Sequence, residues 1–173
     1  MLKELATSKC VFVDEASLIL SSIPLREETV AINLWHACGA FKKFGRSTAD
    51  LKFGASAATL DKYPNYKNLS HVTVSSPEVI WAYEEAMNLP QGIVKATGVS
   101  RTDEFYDENF VNSRKEKLYQ IMPEARGKKI ILYAPTFRGH VASATSPDEI
   151  DFSRFYEALS DQFVIVCKHH PFV

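Results

Sequence analysis

Lys128-Lys129-Ile130-Ile131-Leu132-Tyr133-Ala134-Pro135-Thr136-Phe137-Arg138-Gly139-His140 runs from an apolar β-type segment straight into a polar, cationic turn. The run at 128–134 is apolar enough for a central strand covered on both faces. Pro135 ends it, because proline cannot donate to a sheet ladder. Further on, Phe152 to Ser160 sets Phe155, Tyr156 and Leu159 on one helical face, after a loop from Pro147 to Asp151. Phe163-Val164-Ile165-Val166-Cys167 reads as the next strand. Strand, loop, helix and strand make one crossover unit of a parallel sheet. Ligands of such sheets sit outside the carboxyl ends of the strands. Lys168-His169-His170-Pro171 follows the last strand, so both strand ends deliver cationic or titratable groups to one edge.

The same alternation extends upstream. Cys10-Val11-Phe12-Val13, Thr29 to Trp35, His71 to Ser75 and Gly92 to Gly98 are short β-type runs. Ser75-Ser76-Pro77-Glu78 opens a helix to about Leu89, with serine at the cap, proline in the first turn and glutamate at the positive end of the dipole. A second helix covers Glu108 to about Met122, striped by Phe110, Val111, Leu118 and Ile121 and closed by Pro123. Met122 to Gly127 lacks apolar periodicity and forms a seam. The reading is α/β, with one unit at 1–122 and the opening strand, helix and strand of another at 128–173. Two strands cannot bury both faces of a sheet, so the second domain is expected to be incomplete.

Composition bounds the function. The 173 residues are 46% apolar and 24% charged, ordinary for a chain with a buried core. A net charge of −1 excludes a general attraction to nucleic acid and leaves only local basic clusters. Cys10, Cys38 and Cys167 have no CxxC spacing, and an odd, sparse set suits a reducing compartment. Cys10 and Cys167 lie in apolar runs and are expected to be buried. No secretory leader is visible and no run reaches the ~18–20 apolar residues of a membrane span. The expected location is cytoplasmic, with any membrane contact peripheral.

Three segments carry candidate chemistry. Trp35-His36-Ala37-Cys38-Gly39-Ala40-Phe41-Lys42-Lys43-Phe44-Gly45 follows a strand. His36 can take a proton from an attacking hydroxyl, and Lys42 and Lys43 can hold phosphate. Equally, His36 can be a satisfied hydrogen-bonding residue and the lysines a solvated face. Thr97-Gly98-Val99-Ser100-Arg101-Thr102-Asp103 reads as structural, with a turn at Gly98 and Arg101 pairing Asp103 or capping the next segment. Thr136 and Arg138 offer a hydroxyl and a fork of donors to phosphate, with His140 near them, unless Arg138 pairs a carboxylate. His169 and His170 point to opposite sides of an extended chain, so they make a poor metal pair. Walker, GxSxG and zinc spacings are absent from the sequence.

Taken in order, Leu34 to Gly45, Thr97 to Asp103, Ile131 to Arg138 and Lys168 to Pro171 resemble the CDP-glycerol glycerophosphotransferase family of teichoic-acid synthesis. The resemblance covers nearly the whole chain. It implies a GT-B-like enzyme with two Rossmann-like domains across a cleft, the first binding acceptor and the second the CDP-alcohol. His36 matches the family's Trp-His-Gly-type histidine and becomes the expected general base. His170 matches the histidine of Lys-x-His-Pro and is expected at the donor diphosphate with Arg138, Thr136 and Lys168. Gly39, Lys42 and Lys43 are expected substrate-binding residues. The implied reaction moves glycerol phosphate from CDP-glycerol, or ribitol phosphate from CDP-ribitol, to a lipid-linked polyol-phosphate acceptor, releasing CMP. No cofactor and no metal is called for.

Ala37 departs from the family's glycine, and the family's downstream Asp-Tyr-Ser-Ser segment and the earlier strands of the acceptor domain are missing. The expectation is therefore a fragment with little donor binding of its own. Two alternatives stay open: a nucleotide-sugar glycosyltransferase of the same architecture, and a non-catalytic binding module whose unpaired sheet edge drives self-association into a homo-oligomer.

Overall fold

Four short apolar segments pair side by side in the computed structural model, which describes residues 2–139, 141–146 and 150–173. They are β1 (Cys10–Val13), β2 (Val30–Asn33), β3 (His71–Val74) and β4 (Val94–Ala96), parallel throughout and in the order β1-β2-β3-β4. Val11 lies opposite Ala31, Asn33 opposite Val72, and Val72 opposite Val94. Alternation along each strand then sends Val11, Ala31, Asn33, Val72, Val74 and Val94 to one buried face. Leu69, Leu20 of α2 (Leu18–Ser22), and Tyr83 and Met87 of α4 (Ile80–Met87) close over that face. A fully buried valine or leucine stabilises by roughly 1.5–3 kcal/mol, so this layer holds the unit together. The opposite face carries exposed Phe12, Val30 and His71.

Local chemistry sets the helix ends. α1 (Leu2–Thr7) precedes β1, and α3 (Ala57–Lys62) lies between β2 and β3. Ser17 caps α2 by accepting from the Leu20 N–H at 3.2 Å, and Ser56 caps α3 through the Thr59 N–H at 3.1 Å. Such caps contribute about 1 kcal/mol each. The helix expected from Pro77 to Leu89 is divided: a 3-10 turn at Pro77–Val79, then α4, ended by Asn88 in the left-handed region at φ 52°. Ser76 does not cap it. Its hydroxyl bonds the Glu78 carboxylate, which holds that carboxyl below its ordinary range. A 3-10 turn at Gly45–Thr48 rests against α4. Gly45 permits this, because a Cβ there would stand 2.3 Å from the Ala86 carbonyl oxygen at φ +53°.

The chain divides into two compact units, Met1–Glu104 and Phe105–Val173. The division falls before α5 (Glu108–Ile121), so this helix belongs with the second unit and not with residues 1–122 as the seam at Met122 suggests. Asp107 caps α5, accepting from Asn109 and Phe110 N–H. Ile121, placed on its apolar stripe by periodicity, is exposed, while Phe110, Val111 and Leu118 are half-buried.

β5 (Lys129–Tyr133) and β6 (Phe163–Cys167) pair in parallel with Lys129 opposite Phe163 and Tyr133 opposite Cys167. α6 (Phe152–Leu159) connects them, capped by Asp151. The described residues form a two-stranded sheet here, so β5 is not the doubly covered strand its composition predicts. Phe152 of α6 meets the Tyr133 ring at 6.0 Å, whereas Ile130 and Leu132 on the other face are exposed. Cys10 and Cys167 are exposed as well, against expectation. Cys10 stands on the open face of edge strand β1 and Cys167 at the last position of β6. In each case neighbours rather than residue type decide burial. His140 and the Pro147–Glu149 portion of the expected loop lie outside the described residues. Mixed α/β architecture with parallel sheets is what the sequence predicts.

Candidate functional site

In the first unit, the end of β2 builds a tightly tied turn. Asn33 is fully buried. Its Oδ1 accepts from the Trp35 N–H at 2.8 Å, and its Nδ2 donates to the Glu15 carbonyl at 3.1 Å. The Leu34 N–H donates to the Val13 carbonyl at 2.8 Å, while the Thr73 hydroxyl donates to the Leu34 carbonyl at 3.1 Å. Trp35 is thereby held at φ 53°, left-handed and costly for a bulky residue. Its indole offsets that cost by packing against Phe44, Tyr66 and Tyr83 at centroid separations of 5.0, 6.3 and 5.8 Å. Burial, and secondarily the charge of Glu15, pushes the Tyr66 hydroxyl above its ordinary pKa.

This turn presents His36. Its ring stacks on Trp35 at 4.5 Å and 22°. Its Nδ1 lies 2.7 Å from the Asp14 carbonyl oxygen. A carbonyl only accepts, so Nδ1 carries the proton and donates, and in the neutral ring Nε2 keeps a free lone pair. The imidazole is exposed at the carboxyl edge of the sheet, with its orientation and tautomer both fixed. Arg101 ties the same turn from beyond β4: its Nη1 donates to the His36 carbonyl at 3.0 Å. It makes no ion pair with Asp103 among the described residues, which corrects the local pairing expected from sequence.

Gly39 lies two residues past Ala37, and its carbonyl accepts from the Tyr83 hydroxyl at 3.0 Å. Lys42 and Lys43 are exposed and flank a small depression of about 70 Å³ beside Trp81 and Glu85 of α4. His36 does not line this depression.

In the second unit, the turns after β5 and β6 come together. Phe137 packs on the His170 ring at 4.6 Å and on Phe172 at 5.2 Å. The His170 Nδ1 accepts from the Phe172 N–H at 3.2 Å, so in the neutral ring Nε2 carries the proton. The two histidines thus have opposite tautomers. His36 offers a lone pair at Nε2, and His170 offers a donor there. Arg138 is anchored through its backbone to Thr145, by N–H···O bonds of 2.9 and 3.0 Å in the two directions. Its Nη1 donates to the Phe137 carbonyl at 3.2 Å, and it has no carboxylate partner among the described residues. Thr136 is exposed beside it. The Lys168 N–H donates to the Tyr133 carbonyl at 2.9 Å, leaving its ammonium exposed. His169 points elsewhere, its Nε2 3.5 Å from the Cys167 sulfur. No group of three or more metal-binding side chains occurs among the described residues.

Asn33 and Thr73 are site-building residues that sequence reading passed over, and Arg101 is one that it read as a local structural residue. A polar residue ending the apolar run Val30-Ala31-Ile32 was a usable signal for Asn33. For Arg101 there was none, since its partner is 65 residues away.

Comparison with known proteins gives this arrangement a context. Residues 1–173 match the family described as CDP-Glycerol:Poly(glycerophosphate) glycerophosphotransferase. A teichoic acid poly(ribitol-phosphate) polymerase of Bacillus spizizenii is 42% identical over 97% of this chain and 27% of its own length. A teichoic acid ribitol-phosphate primase of the same organism is 37% identical over 99% of this chain and 45% of its own length. The chain therefore spans less than half the length of these curated relatives. The solved structure of a histidine-to-alanine variant of the wall teichoic acid polymerase TagF superposes with a TM-score of 0.74 at 15% identity, over 95% of this chain and 41% of that one. That likeness shows a shared GT-B-like fold. With its full length matched, the chain belongs to the CDP-glycerol:poly(glycerophosphate) glycerophosphotransferase family.

Proposed function

We propose that this chain carries the acceptor-activating base and part of the donor-diphosphate site of a CDP-polyol phosphotransferase. The observation that carries the reading is His36. Its Nδ1–H is spent on Asp14, so its Nε2 lone pair stands free at the sheet edge where ligands bind. The hydroxyl of a lipid-linked polyol-phosphate acceptor gives its proton to Nε2 as its oxygen attacks the β-phosphorus of the donor. A new P–O bond forms, the bond from the β-phosphorus to the bridging oxygen breaks, and CMP leaves with that oxygen. Arg138, the His170 Nε2–H, Lys168 and the Thr136 hydroxyl are the groups that hold the diphosphate and the charge released on it. Catalysis of this kind is positioning plus electrostatics.

The two relatives named above are ribitol-phosphate enzymes, which favours CDP-ribitol over CDP-glycerol as donor. Measuring CMP release by the full-length protein with each donor tests this. Faster release from CDP-ribitol is expected. Transfer from a nucleotide sugar, with none from either CDP-alcohol, would overturn the reading.

Acceptors of this type sit at the inner face of the plasma membrane, and the first unit has a surface suited to it. Phe41 is fully exposed and Phe53 and Trp81 are mostly exposed; exposed Lys42 and Lys43 follow Phe41 in the chain and exposed Lys52 precedes Phe53. The turn that lifts Leu51 to Phe53 is closed by the Leu51 N–H to Thr48 carbonyl and Gly54 N–H to Leu51 carbonyl bonds. Aromatic rings with interspersed cations are the composition of a peripheral membrane contact. No helix among the described residues is long and apolar enough to cross a membrane. Co-sedimentation with phosphatidylglycerol vesicles should weaken about 10-fold or more when Phe41→Ser and Phe53→Ser are combined, given the apolar area removed. Unchanged sedimentation would discard this surface.

A further inference from the structure

We propose that Arg101 binds the phosphodiester of the acceptor's terminal unit while it positions the His36 turn. The proposal rests on His36 acting as the base, and names a substrate contact beside it. The backbone that carries Arg101 is rigid. Gly98 turns the chain after β4 at φ +88°, its N–H donating to the Val74 carbonyl at 3.1 Å. Val99 is buried, and the Thr102 N–H and hydroxyl both donate to its carbonyl, at 2.9 and 2.7 Å. From this base the exposed side chain reaches the His36 carbonyl with Nη1.

That contact uses one donor of the guanidinium and leaves its charge without a counter-charge, because a carbonyl is neutral. The Nε and Nη2 donors make no hydrogen bond among the described residues, and no carboxylate pairs with the group. Asp103 is two residues away, and Asp14 offers its carbonyl to His36 instead. A planar, uncompensated fork fits the oxygens of a phosphate. The acceptor is the substrate that brings one here. A polyol-phosphate unit carries its phosphodiester a short carbon chain from its terminal hydroxyl, and that hydroxyl must sit at the His36 Nε2. An anion site tied to the same turn would select acceptors that already bear a phosphate, and would couple their docking to the placement of the base.

The test uses the full-length protein with a short synthetic polyol-phosphate acceptor and its analogue with a neutral methylphosphonate at the terminal linkage. Wild type, Arg101→Gln and Arg101→Lys are compared for kcat and for both KM values. Arg101→Gln is expected to raise the acceptor KM about 10- to 100-fold, the effect of losing a charge-assisted hydrogen bond. The donor KM should not move, and the loss should vanish with the neutral analogue. Arg101→Lys should recover part of the acceptor KM. An equal loss on charged and neutral acceptors, or a fall in kcat alone, would overturn the phosphate contact and leave only the tie to His36. An unchanged melting curve for Arg101→Gln separates either result from misfolding. Failure of the base assignment shows elsewhere, as undiminished turnover by His36→Ala.

Discussion

His36→Ala in the full-length protein is expected to lower kcat roughly 100- to 10,000-fold, the range that a positioned general base contributes. The donor KM should change little, because Arg138, Lys168 and His170, the groups proposed to hold the diphosphate, belong to the second unit. The size of the loss follows from how much structure is committed to this imidazole. Asn33, Thr73, Asp14 and Arg101 each place a hydrogen bond on the turn or on the ring. Trp35 is held in a left-handed conformation to stack upon it. The measurement is CMP release under saturating donor and acceptor. His36→Asn is the informative companion, since its amide nitrogen stands where Nδ1 does and can keep the bond to Asp14 but cannot take up a proton.

Tyr83→Ala should destabilise the first unit by about 3–5 kcal/mol, the usual cost of deleting a large buried ring. Tyr83 is only 1% exposed, the largest fully buried side chain in the core. Its ring meets Trp35 edge-on at 5.8 Å and Phe44 at 5.3 Å, and its hydroxyl holds the Gly39 carbonyl. Burial, with a smaller contribution from Cys38, pushes that hydroxyl above its ordinary pKa, so it serves as a neutral donor. The cavity left by alanine would remove support from Trp35, and through it from His36. Tyr83→Phe keeps the packing and should cost about 1 kcal/mol, the net worth of one hydrogen bond. Urea unfolding followed by circular dichroism measures both. A loss for Tyr83→Ala no larger than that for Tyr83→Phe would show that the ring is not the keystone of this core.

The strands were legible because each is an apolar run bounded by polar turns. Cys10–Val13 and Phe163–Cys167 are recovered to the residue, and His71–Val74 nearly so. Parallel pairing followed from the helices between them. The strand-end placement of His36, Arg138 and His170 was equally legible, since it needs only the strand boundaries. Burial was not. Ile130 and Leu132 look central by composition, yet a strand's exposure is set by the elements stacked on it. The same reason misplaced Cys10 and Cys167. The division before α5 escaped the sequence because proline and glycine mark turns, whereas contacts mark units. Arg101 escaped it for a related reason: Thr97 to Asp103 offers a ready local partner in Asp103, and nothing in the spacing shows that the guanidinium turns to His36.

The central claim is that the His36 Nε2 removes the acceptor's proton. The most direct measurement is the pH dependence of kcat/KM for transfer by the full-length protein, run beside His36→Asn. Protonating the base abolishes its function, so the wild type should show an acidic limb that His36→Asn lacks at its much lower rate. The same acidic limb in both proteins would assign the titrating base to another residue and contradict the account.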